Sequence, residues 1–585
     1  MAQGWLQVAT FVGVVIAMTP LLGRYMARVF GGRRVFLSPV FAPLERLTYR
    51  ALRVDPAEEQ DWKAYAKSLV LFSVFSWLAL YLILRTQGIQ PFNPQHFHSG
   101  PWDVSFNTAS SFVTNTNWQY YGGETTLTYF AQMAGLTVQN FVTPAVGICA
   151  LLALIRGIVG RGGAGLGNFW ADLTRGLYYV LLPLSIVLTL ILVSQGVVQT
   201  LAHSAAVHTL EGATQVLALG PAASQVAIKQ LGTNGGGFFN VNSAFPFENG
   251  TTTSNFFEAL AIILIPAALT YTYGRMVGRQ REGWAIFAAM LAIYIAFIAV
   301  IVPAEQHGTP AEHAAGTPTA AIAGSTGGNM EGKEQRNGIA ESALWATTTT
   351  VTSNGSVNSA MESYTGLGGA VPMFGLSTSE VVFGGVGTGL YSMLLFVLLA
   401  VFIGGLMVGR TPEYLGKKIQ AREIKLVSLG VLFTPLAVLL TAGLATATRL
   451  GTRSIFAGID PQGFSETLYA YLSQANNNGS AFAGYTGFVQ PHAPGNVGAY
   501  GITFADLLGG ATMVFARFIP ILIVLAVAGS LAGKKVAPAG PGTMRTDTPT
   551  FVILLIGVVI LVGALTFFPA LLLGPVVQAL TARLF

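Results

Sequence analysis

Four short polar segments, rich in Asn, Gly, Thr and Ser, recur along the chain at intervals of 119, 120 and 124 residues. Each follows an apolar stretch too short to span a bilayer. They are Thr114-Asn115-Thr116-Asn117, Thr233-Asn234-Gly235-Gly236, Ser353-Asn354-Gly355-Ser356 and Asn477-Asn478-Gly479-Ser480. Backbone carbonyls and the side-chain oxygens of such residues can replace the hydration shell of potassium without a fixed charge that would trap it. The recurrence therefore predicts four pore loops around one axis.

The potassium ion is expected to be bound by four residues from each loop. Gly permits the backbone angles that turn successive carbonyls inward, and the C-terminal end of a short helix before each loop adds partial negative charge. The predicted filter residues are Thr114, Asn115, Thr116, Asn117, Gly232, Thr233, Asn234, Gly235, Thr352, Ser353, Asn354, Gly355, Asn476, Asn477, Asn478 and Gly479. Acidic residues expected on the outer side, where they would draw cations to the mouth, are Asp103, Glu124, Glu248, Glu341 and Glu362.

The composition indicates a protein of the membrane. Charged residues are 10% of the 585 residues, against about 25% in ordinary globular proteins, and mean hydropathy is +0.58. The net charge of +6 does not predict a nucleic-acid partner, because Lys and Arg cluster beside apolar runs and not on one basic face. Cys149 is the single cysteine, which excludes an intramolecular disulfide and a thiolate metal cluster.

Hydropathy predicts an all-α polytopic fold of about ten transmembrane helices. The predicted spans are 4–28, 67–87, 130–156, 175–200, 254–278, 283–303, 381–409, 425–447, 503–532 and 549–573. Four half-helices are expected at 103–112, 222–231, 341–351 and 464–475. Each is about 15 Å long at the helical rise, too short for a hydrocarbon core of about 30 Å, so each must re-enter on the side from which it came.

The spans and half-helices predict one transmembrane domain over residues 1–585, built from four fused span, pore-loop, span repeats around a pseudo-fourfold axis. The expected parts are an extra N-terminal helix at 1–28, pore repeats at 67–156, 175–278, 283–409 and 425–532, and a C-terminal helix at 549–573. Residues 304–340, rich in Ala, Gly, Thr and Pro, are expected to form a flexible extracytoplasmic loop.

The distribution of basic residues predicts the orientation in the membrane. Five loops and their flanks, at 29–66, 157–174, 274–282, 410–425 and 533–548, hold 23 of the 31 Lys and Arg residues. By the positive-inside rule these loops are cytoplasmic. Both termini and all four polar loops are therefore expected on the extracytoplasmic side.

Several long sequence strings resemble the potassium-binding A subunits of the Kdp potassium-pumping ATPases, in the superfamily of potassium transporters. The resemblance covers nearly the whole chain and rests on residues 111–119, 232–240, 246–249, 328–334, 409–418 and 474–480. It implies high-affinity potassium uptake across a bacterial inner membrane, with a P-type ATPase subunit and two small accessory subunits as partners. The chain itself lacks a Gly-x4-Gly-Lys-Ser/Thr loop and an Asp-Lys-Thr-Gly sequence, so we do not expect it to hydrolyse ATP.

Two charged residues, Glu380 and Arg517, fall at membrane depth, where charges are costly. They either pair as a structural lock or serve the ion path. The glycine-rich run 384–389 indicates that the helix beside Glu380 is broken, so that a loop caps the inner side of the filter. In the resembling family the ion is thought to leave sideways to the ATPase subunit. The hypothesis is that Arg517 blocks direct passage to the cytoplasm and Glu380 lines the lateral route.

Two other functions are compatible with parts of this pattern. An autonomous potassium channel or cation symporter would need the same filter and no ATPase partner. A membrane scaffold whose polar loops merely turn would bind no potassium and would leave the fourfold spacing unexplained.

Overall fold

The structure, a computed structural model, describes residues 2–163, 165–322, 326–409, 411–452, 454–455, 460–485, 499–537 and 543–581. Arg410 of the string at 409–418 and residues 323–325 of the outer loop lie outside the described residues. Ten helical segments of the described chain are long and apolar enough to cross a membrane. The prediction of an all-α polytopic fold with about ten spans is confirmed.

The helices are numbered in chain order. They are α1 Ala2–Phe30, α2 Ser38–Leu52, α3 Trp62–Thr86, α4 Trp102–Val113, α5 Gly123–Thr126, α6 Val138–Val159, α7 Phe169–Arg175, α8 Leu182–Ser194, α9 Ala222–Leu231, α10 Thr252–Met276, α11 Gln280–His307, α12 Pro310–Ala314, α13 Gly338–Val351, α14 Gly366–Ser377, α15 Thr388–Met407, α16 Ala421–Ala447, α17 Arg449–Thr452, α18 Pro461–Ala475, α19 Ala499–Ala532, α20 Pro549–Leu571 and α21 Val577–Leu580.

Short irregular helices and two hairpins complete the described secondary structure. The π-helical segments are Ala131–Thr137, which leads into α6, Gly176–Leu181, which joins α7 to α8, and Leu572–Val576, which joins α20 to α21. Single 3₁₀ turns occupy Gln87–Ile89, Asn242–Ala244 and Met361–Ser363. The antiparallel hairpins are β1 Ala205–His208 with β2 Thr214–Leu217, and β3 Glu413–Tyr414 with β4 Lys417–Lys418.

The four half-helices predicted from sequence are α4, α9, α13 and α18. They have 12, 10, 14 and 15 residues, at most about 22 Å at the helical rise. Nearly all their side chains are buried, including the polar ones, because the spanning helices surround them. Neighbours include α19 beside α4, α10 beside α9, α11 beside α13, and α16 beside α18. The half-helices therefore end inside the bundle.

One boundary predicted from sequence is wrong. The span predicted at 381–409 begins only at Thr388, because residues 379, 380, 383, 384 and 387 have positive φ, which is incompatible with an α-helix. The break expected beside Glu380 is thus present, and it separates α14 from α15. In the segment expected to form the outer loop at 304–340, α11 continues to His307, and the buried side chain of Lys333 forms a 2.8 Å ion pair with Glu305 of that helix.

Candidate ion-selectivity filter

Each half-helix ends in a loop whose backbone follows one pattern of φ angles. The first residue of each loop, at 114, 232, 352 and 476, has φ between −82° and −92°. The second and fourth residues have positive φ: Asn115 71°, Asn117 54°, Thr233 49°, Gly235 68°, Ser353 51°, Gly355 94°, Asn477 51° and Gly479 96°. The four loops therefore share one conformation despite their different residues.

The shared conformation corrects the register of the recurrence. Asn115, and not Thr114, is equivalent to Thr233, Ser353 and Asn477. The segment predicted to begin at Thr114 is one residue out of register with the other three. The reason is that Asn117 takes the fourth position, where the other loops have Gly, and Asn tolerates positive φ. All sixteen predicted filter residues fall in four sets that match this backbone register: 114–117, 232–235, 352–355 and 476–479. All of them are buried except Gly479, which is partly exposed.

Hydrogen bonds turn the loop peptides in one direction. The third residue of each loop donates its N–H to a carbonyl in the last turn of its own half-helix: Thr116 to Ser111 at 2.9 Å, Asn234 to Lys229 at 2.9 Å, Asn354 to Thr349 at 2.9 Å and Asn478 to Ser473 at 2.8 Å. The N–H and C=O groups of a trans peptide point in opposite directions. The carbonyls of these peptides therefore point away from the half-helices.

Neighbouring loops are in direct backbone contact. A Cβ on Gly235 would overlap the carbonyl oxygen of Asn354, one on Gly355 would overlap that of Asn478, and one on Gly479 would overlap that of Thr116. At the remaining junction, Asn117 Nδ2 donates to Gly235 O at 3.2 Å. The second loop thus packs on the third, the third on the fourth, the fourth on the first and the first on the second. The four loops form a closed ring.

Asparagine side chains brace the ring from behind. Asn354 Nδ2 donates to Lys229 O at 3.0 Å, and Asn478 Nδ2 donates to Thr349 O at 2.7 Å. In each case the amide joins a loop to the half-helix of the preceding repeat. Their Oδ1 atoms accept hydrogen bonds from the N–H groups of Ser356 and Ser480. Because both ends of these amides are occupied, their side chains support the loop backbone and leave the ring lining to the carbonyls.

A cavity of about 610 Å³ opens on one side of the ring. Gly236, Gly355 and Gly479 line it together with Glu362. Glu362 accepts a hydrogen bond from Gly484 N at 2.5 Å, and burial raises the pKa of its carboxyl group. Five acidic residues are expected at the mouth, and of these Glu362 lines this cavity.

The expectation for Glu248 is wrong. Its side chain is fully buried and forms an ion pair with Lys229 of α9, which also donates to Gly236 O at 3.0 Å. Sequence reasoning missed Lys229 altogether, although a lysine inside an apolar re-entrant helix is a signal that it has a buried partner. The pair lies directly behind the second loop and supports it.

Asp103, Glu124 and Glu341 also have local partners. Asp103 is buried at the start of α4, Glu124 accepts from Asn240 N at 2.9 Å, and Glu341 accepts from Asn255 Nδ2 at 3.1 Å. Burial raises the pKa of Glu124. These contacts show how each carboxyl group is held within the fold.

The loop between α14 and α15, residues 378–387, lies against the ring at Thr233 and at the end of α13. Val386 N donates to Thr233 Oγ1 at 2.9 Å, and Gly384 N donates to Val351 O at 3.1 Å. Both acceptors belong to the filter loops or to the end of a half-helix. The broken helix therefore places non-helical backbone directly beneath the ring.

The two intramembrane charges lie beside this loop. A Cβ built on Gly385 would be 3.7 Å from Glu380 Oε2 and 3.6 Å from Thr233 Oγ1. One built on Gly147 would overlap Val386 O and lie 3.6 Å from Arg517 Nη2. Arg517 is buried, and no ion pair within 4.0 Å joins it to Glu380 in the described chain. The two groups are close enough to interact electrostatically without forming a direct lock.

Comparison with known proteins decides the family. The family model of the potassium-transporting ATPase A subunit, KdpA, matches residues 9–580. The chain belongs to the KdpA family. The resemblance inferred from the sequence strings is thereby confirmed.

Relatives match from end to end. The potassium-transporting ATPase potassium-binding subunit of Sorangium cellulosum is 54% identical over 99% of both chains. Its counterpart in Mesorhizobium japonicum is 52% identical over 99% of this chain and 98% of its own. Among solved structures, the potassium transporter TrkH from Vibrio parahaemolyticus matches 90% of this chain and 97% of its own, at 14% identity and a TM-score of 0.49. This member of the KdpA family therefore shares the full length of its curated relatives.

Proposed function

We propose that this chain is the potassium-binding and potassium-selecting subunit of an ATP-driven potassium uptake pump. The observation that carries the proposal is the closed ring of four loops, each with positive φ at its second and fourth residues. Four half-helix C-termini converge on this ring, and their partial negative charge favours a cation. The sixteen residues 114–117, 232–235, 352–355 and 476–479 supply the filter, with backbone carbonyls as the principal ligands. Potassium is the cargo of this site.

Selection follows from the way in which the ring is held. Hydrogen bonds to each half-helix and the amides of Asn354 and Asn478 fix the spacing of the carbonyls. A cation enters from the outer cavity past Glu362, loses its water and gains carbonyl oxygens in exchange. No carboxylate is part of the ring, so the bound ion can leave again.

The energy for uptake comes from another chain. The sequence contains neither phosphate-binding nor aspartyl-phosphate motif, while the curated relatives are named as subunits of a potassium-transporting ATPase. The partners are accordingly a P-type ATPase subunit and two small accessory subunits. The assembly lies in a bacterial inner membrane, with both termini and the outer cavity extracytoplasmic, in agreement with the distribution of Lys and Arg.

The inner loop and the two intramembrane charges form the exit. Residues 378–387 cap the ring from below, and Arg517 places a positive charge beside this cap. A potassium ion that passes the ring meets this charge and is repelled from the direct path to the cytoplasm. Glu380 offers a compensating carboxylate near Thr233 and lines the lateral route toward the ATPase subunit.

Potassium uptake in cells without other potassium transporters tests this function. The chain is expressed with its P-type ATPase partner, with a catalytically inactive partner and alone. We expect uptake with the active partner only. Uptake by the chain alone would identify an autonomous channel or symporter and would overturn the sealed inner path.

A further inference from the structure

Four arginines line one cavity at the end of the bundle where α1 and α10 terminate. The cavity has a volume of about 390 Å³ and is lined by Arg24, Arg28, Arg33 and Arg275, with Ala27, Gly31 and Met276. The side chains of all four arginines are exposed. Arg24 and Arg28 are one helical turn apart on α1, and Arg275 is in the last turn of α10. Three chain segments therefore direct positive charge into one space.

This charge is not neutralised within the described part of the protein. None of the four arginines lies within 4.0 Å of a carboxylate there. By contrast, Arg156 and Arg175 at the same end of the bundle pair with Asp172 and Glu45. The C-terminal dipole of each helix offsets part of the charge. The helix dipoles alone do not account for four guanidinium groups around one cavity.

An apolar track leads along α1 into the cavity. Exposed residues recur on one face of the helix, at intervals of three or four: Leu6, Thr10, Gly13, Ala17, Leu21, Arg24 and Arg28. Leu21, which is 63% exposed, directly precedes the arginines on this face. At the centre of the track, a Cβ on Gly13 would meet no atom within 4 Å. This exposed face of α1 thus leads to the arginines of the cavity.

We propose that this cavity binds the phosphate group of an anionic phospholipid, whose acyl chain lies along the exposed face of α1 at Gly13 and Ala17. Guanidinium groups bind phosphate through paired, charge-assisted hydrogen bonds. Basic pockets between transmembrane helices are suited to anionic headgroups. A free phosphate would use the same arginines but would not need the exposed face of α1.

The test compares two matched pairs of arginines in the full-length chain. Phosphatidylglycerol is titrated into the detergent-solubilised protein, and bound lipid is counted by native mass spectrometry. Arg24→Gln with Arg28→Gln removes two cavity charges at positions i and i+4. Arg46→Gln with Arg50→Gln removes two exposed charges at the same spacing on α2, outside the cavity lining. Each arginine contributes about fivefold to lipid affinity, so we expect roughly 25-fold weaker binding for the first pair and an unchanged value for the second.

Further arms separate the sources of phosphate and control for folding. Arg33→Gln lies in the loop after α1, where it cannot disturb a helix, and should weaken lipid binding about fivefold. Inorganic phosphate alone should bind more weakly than the lipid, because it makes no contact with the exposed face of α1. Equal affinity for inorganic phosphate would replace the lipid with a free anion. Equal lipid affinity in all variants, or equal losses in both pairs, would overturn the site.

Discussion

The glycine in the second filter loop offers a direct test of the ring. In Gly235→Ala, the new Cβ would overlap Asn354 O and lie 2.6 Å from the carbonyl carbon and 2.7 Å from Ser356 N. Ordinary contacts begin at 3.4 Å, so the second and third loops must separate by at least about 0.8 Å. The carbonyls that these loops present to the ion move with them.

The loss of affinity follows from this displacement. A carbonyl oxygen with about half a unit of negative charge, moved from about 2.8 Å to about 3.6 Å from a cation, loses roughly 0.7 kcal/mol at an effective dielectric constant near 20. Two displaced carbonyls correspond to about a tenfold loss of potassium affinity. A side chain at positive φ adds a strain of about 1–2 kcal/mol, which appears mainly as lower stability.

Gly236→Ala separates the two effects. Its φ is 65°, close to the 68° of Gly235, but its nearest neighbour would be Asn117 O at 3.0 Å. It therefore carries the same backbone strain with little displacement of the ring. Gly557→Ala, exposed on α20 with no atom within 4 Å of the new methyl, controls for expression.

Potassium-stimulated ATPase activity of the purified complex measures the affinity, and competition with rubidium and sodium measures the selectivity. We expect Gly235→Ala to raise the half-saturating potassium concentration about tenfold, Gly236→Ala to raise it much less and Gly557→Ala to leave it unchanged. If Gly235→Ala matches wild type in affinity and ion preference, the contact between loops does not set the carbonyl spacing and the argument fails.

Three further perturbations test the supports of the filter. Lys229→Met leaves the Glu248 charge buried without its partner and should lower stability by about 3–5 kcal/mol. The double variant Lys229→Met with Glu248→Gln should regain most of this stability, as measured by thermal unfolding in detergent. A double variant that regains no stability would contradict the pairing. Arg517→Ala should open an ATP-independent potassium leak in proteoliposomes, because it removes a repulsion of roughly 3 kcal/mol. Arg517→Lys keeps the charge and should show no leak. An alanine variant without a leak would show that Arg517 does not block the exit. Burial raises the pKa of Glu362, so as pH falls its carboxylate is protonated at a higher pH than that of an ordinary Glu. Potassium affinity should weaken over this pH range, and Glu362→Gln should flatten the pH dependence.

Much of the architecture is local and can therefore be predicted from the sequence. Long apolar runs predict the spans, since a bilayer demands about 20 residues, and half-helices such as 222–231 and 464–475 are recognised because they are too short to cross. The broken helix beside Glu380 is also predicted, because glycines at 384, 385 and 387 disfavour a continuous helix. The grouping of these elements into four repeats with the boundaries expected from sequence stays a prediction.

Tertiary structure decided what depends on partners that are distant in the chain. The equivalence of Asn115 with Thr233, the overlap that forbids a side chain at Gly235 and the ion pair that removes Glu248 from the mouth all follow from packing. Residue type alone cannot reveal these features, because Asn and Gly both adopt positive φ and an acidic residue is the same letter whether it faces water or a buried lysine. The sequence by itself predicted the helices long and apolar enough to cross a membrane and the residues proposed to select a cation. Only their closure into a ring decided which backbone atoms face one another.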